Sequence, residues 1–442
     1  MLFSKKDLRR LMVPLVFEQL LNVAIGMVDT IMVASVGEAA VSGVSLVDSI
    51  NLLLVNLFSA LATGGAVVTA QYLGHRQPDQ ASRAAKQLFY VVLLFSSAIM
   101  AVCLLFRFPM LKLIFGTVEA DVMRNAEAYF LFTAISYPFL GMYNASAALL
   151  RSMSNAKASL QTSVIMNVTN IIGNAILIYG FGMGAAGAAI ATLFSRMVGA
   201  AVMQLALRRP ECAVPYPVLH QFEWAPGLVR KILQIGVPSG LEGGMFQFGK
   251  LGLLGLISTF GTVSIAANAV GNSLSTLQVL PGSAIGLAMI TVVGQCVGAG
   301  AFDQARMYTR KLMRMAYLSM GIFNLLLIAG MRIAILPFNL SPQAAELAWQ
   351  LLVLHGAGCI FLWPFAFVLP NALRAAGDTV FVMTVSTLSM LTFRVISGFV
   401  LAKLLGLGVL GVWIAMQIDW VCRIICFELR FRGSRWLTKA VV

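Results

Sequence analysis

An acidic residue lies deep within a long apolar run near the start of the chain. The run covers residues 11–34, and Asp29 falls in its second half. A helix that spans a bilayer needs about 20 mostly apolar residues. A carboxylate inside such a helix costs several kcal/mol unless it faces a cavity, a partner or a bound cation. We therefore interpret Asp29 as the cation or proton site of a transporter.

Three further oxygen-bearing side chains are predicted to reach a similar depth. If the first span enters from the cytoplasm, Asp29 lies about 27 Å along it, and Asn170 and Asn174 lie about 18 and 24 Å along the fifth span. The two Asn residues share one helix face, and Thr192 lies about 9 Å below the outer surface in the sixth span. Hard cations prefer such oxygen ligands, so the four residues predict a cation or proton site. The alternative is an Asp that is hydrogen-bonded by Asn and serves only helix packing.

The composition predicts an all-α integral membrane protein. Of the 442 residues, 59% are hydrophobic and 11% are charged, whereas soluble domains carry about 25% charged residues. The apolar runs have helical length, which excludes a barrel. They lie near 11–34, 45–70, 88–106, 126–148, 158–179, 186–207, 232–258, 266–293, 313–334, 347–371, 380–402 and 409–427, which predicts twelve transmembrane helices.

The net charge of +14 reflects topology rather than nucleic-acid binding. Most of the 31 Lys and Arg residues fall in loops on the side of the N-terminus, and the other side carries only Arg107, Lys112, Arg124, Arg332 and Lys403. By the positive-inside rule, both termini are predicted to be cytoplasmic. We expect a monomer in a bacterial inner membrane. We expect no cofactor and no resident metal, with Na⁺ at Asp29 as the one candidate ion.

The second half of the chain repeats the first at a constant offset. Pro14 and Glu18 align with Pro238 and Glu242, and matches at the same offset return late in each half. Each copy holds six predicted spans, so both copies start from the same side of the membrane. We expect two six-helix lobes, residues 1–207 and 232–442, related by a pseudo-two-fold axis with a central cleft. The proline-rich segment 208–231 is predicted to be a cytoplasmic linker.

The motifs of the two halves resemble the multidrug and toxic compound extrusion (MATE) family. V-P-x-x-x-E opens spans 1 and 7, D-T-I-M-V follows in span 1, and A-Q-Y-L-G and G-Q-C-V-G-A-G follow spans 2 and 8. A-L-R-A-A-G-D-T follows span 10. The resemblance covers essentially the whole chain and implies export of organic cations or other amphiphilic compounds, driven by inward flow of Na⁺ or H⁺. It also implies a cation-site role for Asp29, Asn170, Asn174 and Thr192.

The second half does not repeat the acidic site. The equivalents of Asp29, Asn170, Asn174 and Thr192 are Leu253, Arg394, Gly398 and Met416. One branch of the family carries an acid about eight residues after the proline of span 7, where this chain has Phe246. The chain therefore resembles the DinF-like branch more than the NorM-like branch.

Other charges inside the predicted spans are candidates for a substrate cavity. Lys250 and Arg394 lie in the middle of spans 7 and 11, and Glu242 either lines the cavity or shapes its helix start. Asp419 and Arg423 are spaced to neutralise each other on one helix. Pro14 either lets span 1 bend or is an ordinary helix starter in the first turn.

The leading hypothesis is a secondary antiporter that works by alternating access. The alternative is a flippase for lipid-linked precursors or polysaccharides from the wider superfamily, which usually has more spans and a strongly basic cavity. An enzyme is not indicated, because H-E-x-x-H and G-x-S-x-G are missing from the sequence. G-x-x-x-x-G-K-[ST] is missing too, which argues against an ATP-driven pump.

Overall fold

The computed structural model of the protein describes residues 2–116, 118–210, 212–217 and 221–442. Nearly all of these residues are helical, and no β-strand occurs among them. The predicted linker 208–231 falls partly outside the described residues, at Glu211 and at 218–220.

A π-helical turn separates the last two α-helices of the first half. They are α1 (Lys5–Ala34), α2 (Glu38–Gly74), α3 (Pro78–Leu105), α4 (Arg107–Phe115), α5 (Ala120–Ile135), α6 (Tyr137–Ser152), α7 (Ala156–Asn174) and α8 (Gly184–Leu207). The π-helical turn Ala175–Gly180 continues α7.

The helices of the second half follow the same order with more interruptions. They are α9 (Pro226–Ser258), α10 (Thr262–Gln278), α11 (Leu280–Gly298), α12 (Phe302–Ile335), α13 (Pro342–Phe361), α14 (Leu369–Ala375), α15 (Thr379–Ser389), α16 (Ser397–Phe399) and α17 (Gly408–Arg432). Short 3₁₀ turns lie at Leu336–Phe338 and Leu437–Lys439, and π-helical turns lie at Pro364–Val368, Met390–Ile396 and Val400–Leu404.

The sequence repeat is also a repeat of helix boundaries. α2 and α10, α3 and α12, and α8 and α17 begin at positions that the repeat aligns with each other. Gly37 precedes α2 with φ 135°, and Gly261 precedes α10 with φ 89°. Residues with a Cβ disfavour this left-handed region, so the two aligned glycines make the same turn possible.

Ten helices among the described residues are long and apolar enough to cross a membrane. They correspond to ten of the twelve predicted spans. Span 126–148 is divided at Ser136 between α5 and α6. Span 232–258 lies in the long helix α9, where glycines and the charges of Glu242 and Lys250 dilute the apolar residues. The count of twelve stays a prediction.

The prolines of the repeated motif lie inside helices rather than at their starts. α1 begins nine residues before Pro14, and α9 begins twelve residues before Pro238. A proline inside a helix removes one backbone hydrogen bond and favours a kink. The interpretation of Pro14 as an ordinary helix starter is therefore wrong.

The chain forms two compact units, Arg9–Gly240 and Leu241–Val442 together with Met1–Leu8. We call them the N-terminal and C-terminal units. In the N-terminal unit α2 packs against α3, α5 and α6, and in the C-terminal unit α11 packs against α12 and α14. The lobe boundaries 207 and 232 stay predictions, since the division between the units falls inside α9.

The described part of the predicted linker is fixed to the N-terminal unit. The Gln87 amide of α3 donates to the Glu223 carbonyl over 2.6 Å and accepts from the Ala225 amide over 3.1 Å. The Ser82 hydroxyl donates to the Pro215 carbonyl over 2.8 Å. These contacts explain why the segment belongs to one compact unit instead of separating two.

Candidate cation-binding site

The four predicted ligand residues of the N-terminal unit meet in one hydrogen-bonded chain. The Asn174 amide donates to the Asp29 carboxylate and also lies 3.3 Å from Asn170 Oδ1. The Asn170 amide in turn donates to Thr192 Oγ1 over 3.3 Å. The side chains come from α1, α7 and α8, so the depth estimates for three separate spans converge on one place.

One oxygen of this chain has no hydrogen-bond partner among the described residues. Asn174 is fully buried, and its Oδ1 accepts nothing there. An unsatisfied buried polar group costs about 1–3 kcal/mol. Beside the Asp29 carboxylate, this oxygen is available to a hard cation, or to the hydroxyl of a protonated carboxyl.

The backbone changes its helical form next to these residues. Asn174 ends α7, and the π-helical turn Ala175–Gly180 follows directly. π-helical turns inside α-helices are often found at functional sites, because they re-aim the side chains around them.

A second carboxylate, Asp48 of α2, belongs to the same neighbourhood and was missed in the sequence. Asp48 Oδ1 accepts a hydrogen bond from the Asn51 amide over 3.0 Å and another from the Tyr129 hydroxyl over 3.2 Å. The Tyr137 hydroxyl donates to Asn51 Oδ1 over 2.9 Å. Asp48 lies three residues into the predicted span 45–70, so the depth argument used for Asp29 would also have found it.

Arg196 of α8 completes the charges of the site. It donates to the Ser136 hydroxyl over 2.6 Å and interacts electrostatically with both Asp29 and Asp48. Two carboxylates and one guanidinium leave one negative charge in excess when all three are ionised. One proton or one monovalent cation balances this set.

The repeated Glu and Arg motifs form an ion pair in each unit. Glu18 lies 3.5 Å from Arg151 and accepts a hydrogen bond from the Ser159 hydroxyl over 3.1 Å. Glu242 accepts two hydrogen bonds from Arg374, over 2.8 and 2.7 Å. The Glu242 carboxylate is therefore paired with Arg374, and Glu242 does not line the cavity described next. Its assignment to a substrate cavity stays a prediction.

Lys250 and Arg394 do line a cavity, of about 430 Å³, in the C-terminal unit. Asp419 and Arg423 form the expected pair on α17, with Nε 2.9 Å from Oδ1.

No group of three His, Cys, Asp or Glu residues with metal-binding geometry occurs among the described residues. All six cysteines have free thiols.

The comparison with known families decides the assignment. A family model described as MatE matches residues 14–176 and matches again at residues 238–400. The chain belongs to the MATE family. The two matches begin at Pro14 and Pro238, which the internal repeat aligns with each other, so the repeat is the family domain present twice.

The relatives of this MATE chain include proteins named as a transporter and as a multidrug resistance protein. It is 27% identical over 439 residues to the uncharacterized transporter YisQ of Bacillus subtilis, covering 97% of this chain and 94% of YisQ. It is 25% identical over 454 residues to the probable multidrug resistance protein NorM of Thermotoga maritima, covering 99% and 94%. The predicted family resemblance is confirmed.

A solved structure shows the same fold over nearly the whole chain. A crystal structure of MATE in the bent conformation superimposes with a TM-score of 0.88 at 21% identity, covering 99% of this chain and 97% of that chain. The predicted all-α membrane fold is confirmed at this level.

Proposed function

We propose that this MATE transporter is a secondary antiporter that exports amphiphilic organic compounds, organic cations included, in exchange for H⁺ or Na⁺. Its two states are exchanged by alternating access, and Asp29 is the coupling carboxylate. The protein acts as a monomer in a bacterial inner membrane with both termini in the cytoplasm, and it carries no cofactor.

The observation that carries this proposal is the free acceptor oxygen of Asn174 beside Asp29. A carboxylate kept only for packing would have its neighbours satisfied, because unpaired buried polar atoms are rare. Here the Asn174 amide donates to Asp29 and the Asn170 amide donates to Thr192, but Asn174 Oδ1 accepts no hydrogen bond from the described residues. A proton or a cation bound at Asp29 gives this oxygen a partner.

The excess charge of the site gives the coupling its physical basis. With Asp29, Asp48 and Arg196 ionised, the site carries one negative charge within a membrane unit. Ion binding removes that charge and lowers the cost of keeping the site away from water. A conformation that shields the site is therefore favoured when the ion is bound, which is the differential affinity that alternating access needs.

We place the chain nearer to the DinF-like branch than to the NorM-like branch. The acids Asp29 and Asp48 both lie in the N-terminal unit, whereas the repeat aligns them with Leu253 and Asn272 in the second half. Phe246 stands eight residues after Pro238, where the other branch carries its acid.

The test is efflux of the cationic dye rhodamine 6G from proteoliposomes with Na⁺ and proton gradients imposed separately. We expect the wild type to respond to one gradient and Asp29→Asn to neither, because Asn keeps the size and loses the titratable charge. Asp48→Asn is compared alongside, since it removes the second negative charge. Asn174→Ala raises the Na⁺ concentration for half-maximal transport if Na⁺ is the ion, and shifts the pH dependence if H⁺ is.

The matched control is Asp121→Asn. Asp121 is an exposed acid that pairs with Arg124 over 2.5 Å, so its replacement removes one carboxylate away from the site. It should transport like the wild type. Gradient-driven efflux by Asp29→Asn at the wild-type rate would show that Asp29 is a packing residue and that coupling lies elsewhere.

A further inference from the structure

The cavity of the C-terminal unit is walled by aromatic side chains. Trp363, Phe367, Trp413 and Trp420 line it together with Phe246. Its volume of about 430 Å³ falls in the range of small-molecule sites, which are mostly apolar clefts of roughly 300–1,000 Å³ with a few placed polar groups. The cavity therefore suits an organic molecule with a flat, apolar body.

Two cationic side chains enter this cavity beside the same aromatic ring. Arg394 Cζ lies 5.1 Å and Lys250 Nζ lies 5.5 Å from the ring centroid of Phe246. Arg394 is 7% exposed, and its Nε has no hydrogen-bond partner among the described residues. It lies in the π-helical turn Met390–Ile396. The described part of the fold thus leaves this buried donor unused at the cavity.

No Asp or Glu is found among the described residues that line the cavity. Asp419 interacts electrostatically with Arg394, but it is held 2.9 Å from Arg423 and accepts a hydrogen bond from Ser389. Arg394, Asp419 and Arg423 together keep one positive charge in excess, and Lys250 adds another when protonated. Uncompensated charge inside a membrane protein is costly and is normally balanced by a partner.

The internal repeat shows that the cavity replaces the acidic site of the other unit. Leu253, Arg394 and Met416 line the cavity, and the repeat aligns them with Asp29, Asn170 and Thr192 in that order. The same helical frame thus carries oxygen ligands in the N-terminal unit and a guanidinium in the C-terminal unit. The charge at these aligned positions is therefore negative in the N-terminal unit and positive in the C-terminal unit.

We propose that this cavity binds amphiphilic organic anions, with a carboxylate, sulfonate or phosphate group at Arg394 and Lys250 and the apolar body against the Trp and Phe side chains. Arg is suited to this role, because its planar guanidinium pairs with such groups through two parallel hydrogen bonds and stays protonated even if a buried Lys does not. As a statement about transported substrate, the inference rests on the proposed antiport function. As a statement about binding, it stands without it.

The test compares two dyes with a common ring system and opposite charge, anionic fluorescein and cationic rhodamine 6G. Binding is measured by fluorescence anisotropy on the purified full-length protein in phosphatidylcholine nanodiscs. We expect saturable fluorescein binding that weakens about tenfold or more in Arg394→Gln and in Lys250→Gln, since each change removes a charge-assisted contact. Arg394→Lys should bind with intermediate affinity, which separates loss of charge from loss of fold.

The matched control is Lys403→Gln. Lys403 is an exposed cation outside the cavity that contacts the Phe399 ring at 5.4 Å, so the variant changes net charge equally. Its affinity for fluorescein should equal that of the wild type. Equal weakening in Lys403→Gln and Lys250→Gln, or preferential binding of rhodamine 6G that ignores the Lys250 and Arg394 variants, would overturn the inference.

Two further arms separate the source of the anion and the fate of the antiport proposal. If phosphatidylglycerol in the nanodisc competes with fluorescein, the occupant is a lipid headgroup. If phosphatidylglycerol does not compete, the occupant is a soluble anion. Fluorescein binding without gradient-driven movement of either dye would leave the site intact and overturn antiport. Ion-coupled efflux of rhodamine 6G without fluorescein binding would support antiport and overturn the anion site.

Discussion

The buried pair of α17 offers a direct test of the charge balance in the C-terminal unit. Asp419 is fully buried and Arg423 is 2% exposed. Replacing Asp419 by Asn keeps the shape of the side chain and leaves Arg423 and Arg394 without a carboxylate. Removing one partner of a buried pair typically costs about 3–5 kcal/mol. For a unit of this size, about 2–4 °C of melting temperature is lost per kcal/mol, so we expect a fall of roughly 6–20 °C.

The same helix supplies an exposed pair with the same spacing as a control. Glu428 and Arg432 are joined over 2.8 Å, and the Arg432 side chain is 74% exposed. Exposed pairs contribute about 0–1 kcal/mol, so Glu428→Gln should change the melting temperature by no more than about 4 °C. Both variants are measured by thermal unfolding in detergent, followed by tryptophan fluorescence.

A double variant shows whether the cost comes from the unpaired charge. Asp419→Asn combined with Arg423→Met removes both charges, and replacement of a whole buried pair by groups of similar volume is often close to neutral. We expect most of the lost melting temperature to return. Equal shifts for Asp419→Asn and Glu428→Gln, or no recovery in the double variant, would refute the assignment of Asp419 to Arg423 and the charge count of the cavity.

Two predictions concern the N-terminal unit. A Cβ at Gly64 would lie under 3.0 Å from the Ile232 carbonyl oxygen, so Gly64→Ala should lower the free energy of unfolding by about 1–3 kcal/mol in thermal unfolding. The control is Gly26→Ala, whose Cβ would have nothing within 4 Å; it should be neutral or stabilise by up to about 1 kcal/mol. Equal shifts in the two variants would contradict the close packing at Gly64. The hydrogen bond and charge of Arg83 hold the pKa of Glu223 below its ordinary value of 4.5, so the linker contact stabilises above that pH and is lost as the pH falls through the lower folded pKa. Hydrogen exchange of the linker should therefore be slower in wild type than in Glu223→Gln at pH 6, and the difference should shrink as the pH is lowered through the folded pKa of Glu223. A difference that stays constant as the pH is lowered would rule out this carboxylate as the cause.

Much of the acidic site could be predicted because depth in a membrane helix follows from residue number. Asp29, Asn170, Asn174 and Thr192 lie on continuous helical segments, so a rise of about 1.5 Å per residue placed them at similar heights. Asp48 was equally accessible to this argument and was missed only because span 2 was not included in it. The pairing of Glu242 could not be predicted, since its partner Arg374 lies 132 residues away in the chain.

The sequence by itself determined the class of the protein, its helical elements and its duplication. Apolar runs of this length must be helical in a bilayer, because each backbone group needs an internal hydrogen bond there. The internal repeat follows from aligning the sequence with itself. Only the tertiary structure decided which charges pair between separate helices and which stay free. Lys250 and Arg394 share the ring of Phe246, whereas Glu18 and Glu242 are occupied by arginines of distant segments. Charge pairing depends on side-chain distances of a few ångström between separate helices, and helix periodicity contains no information about those distances.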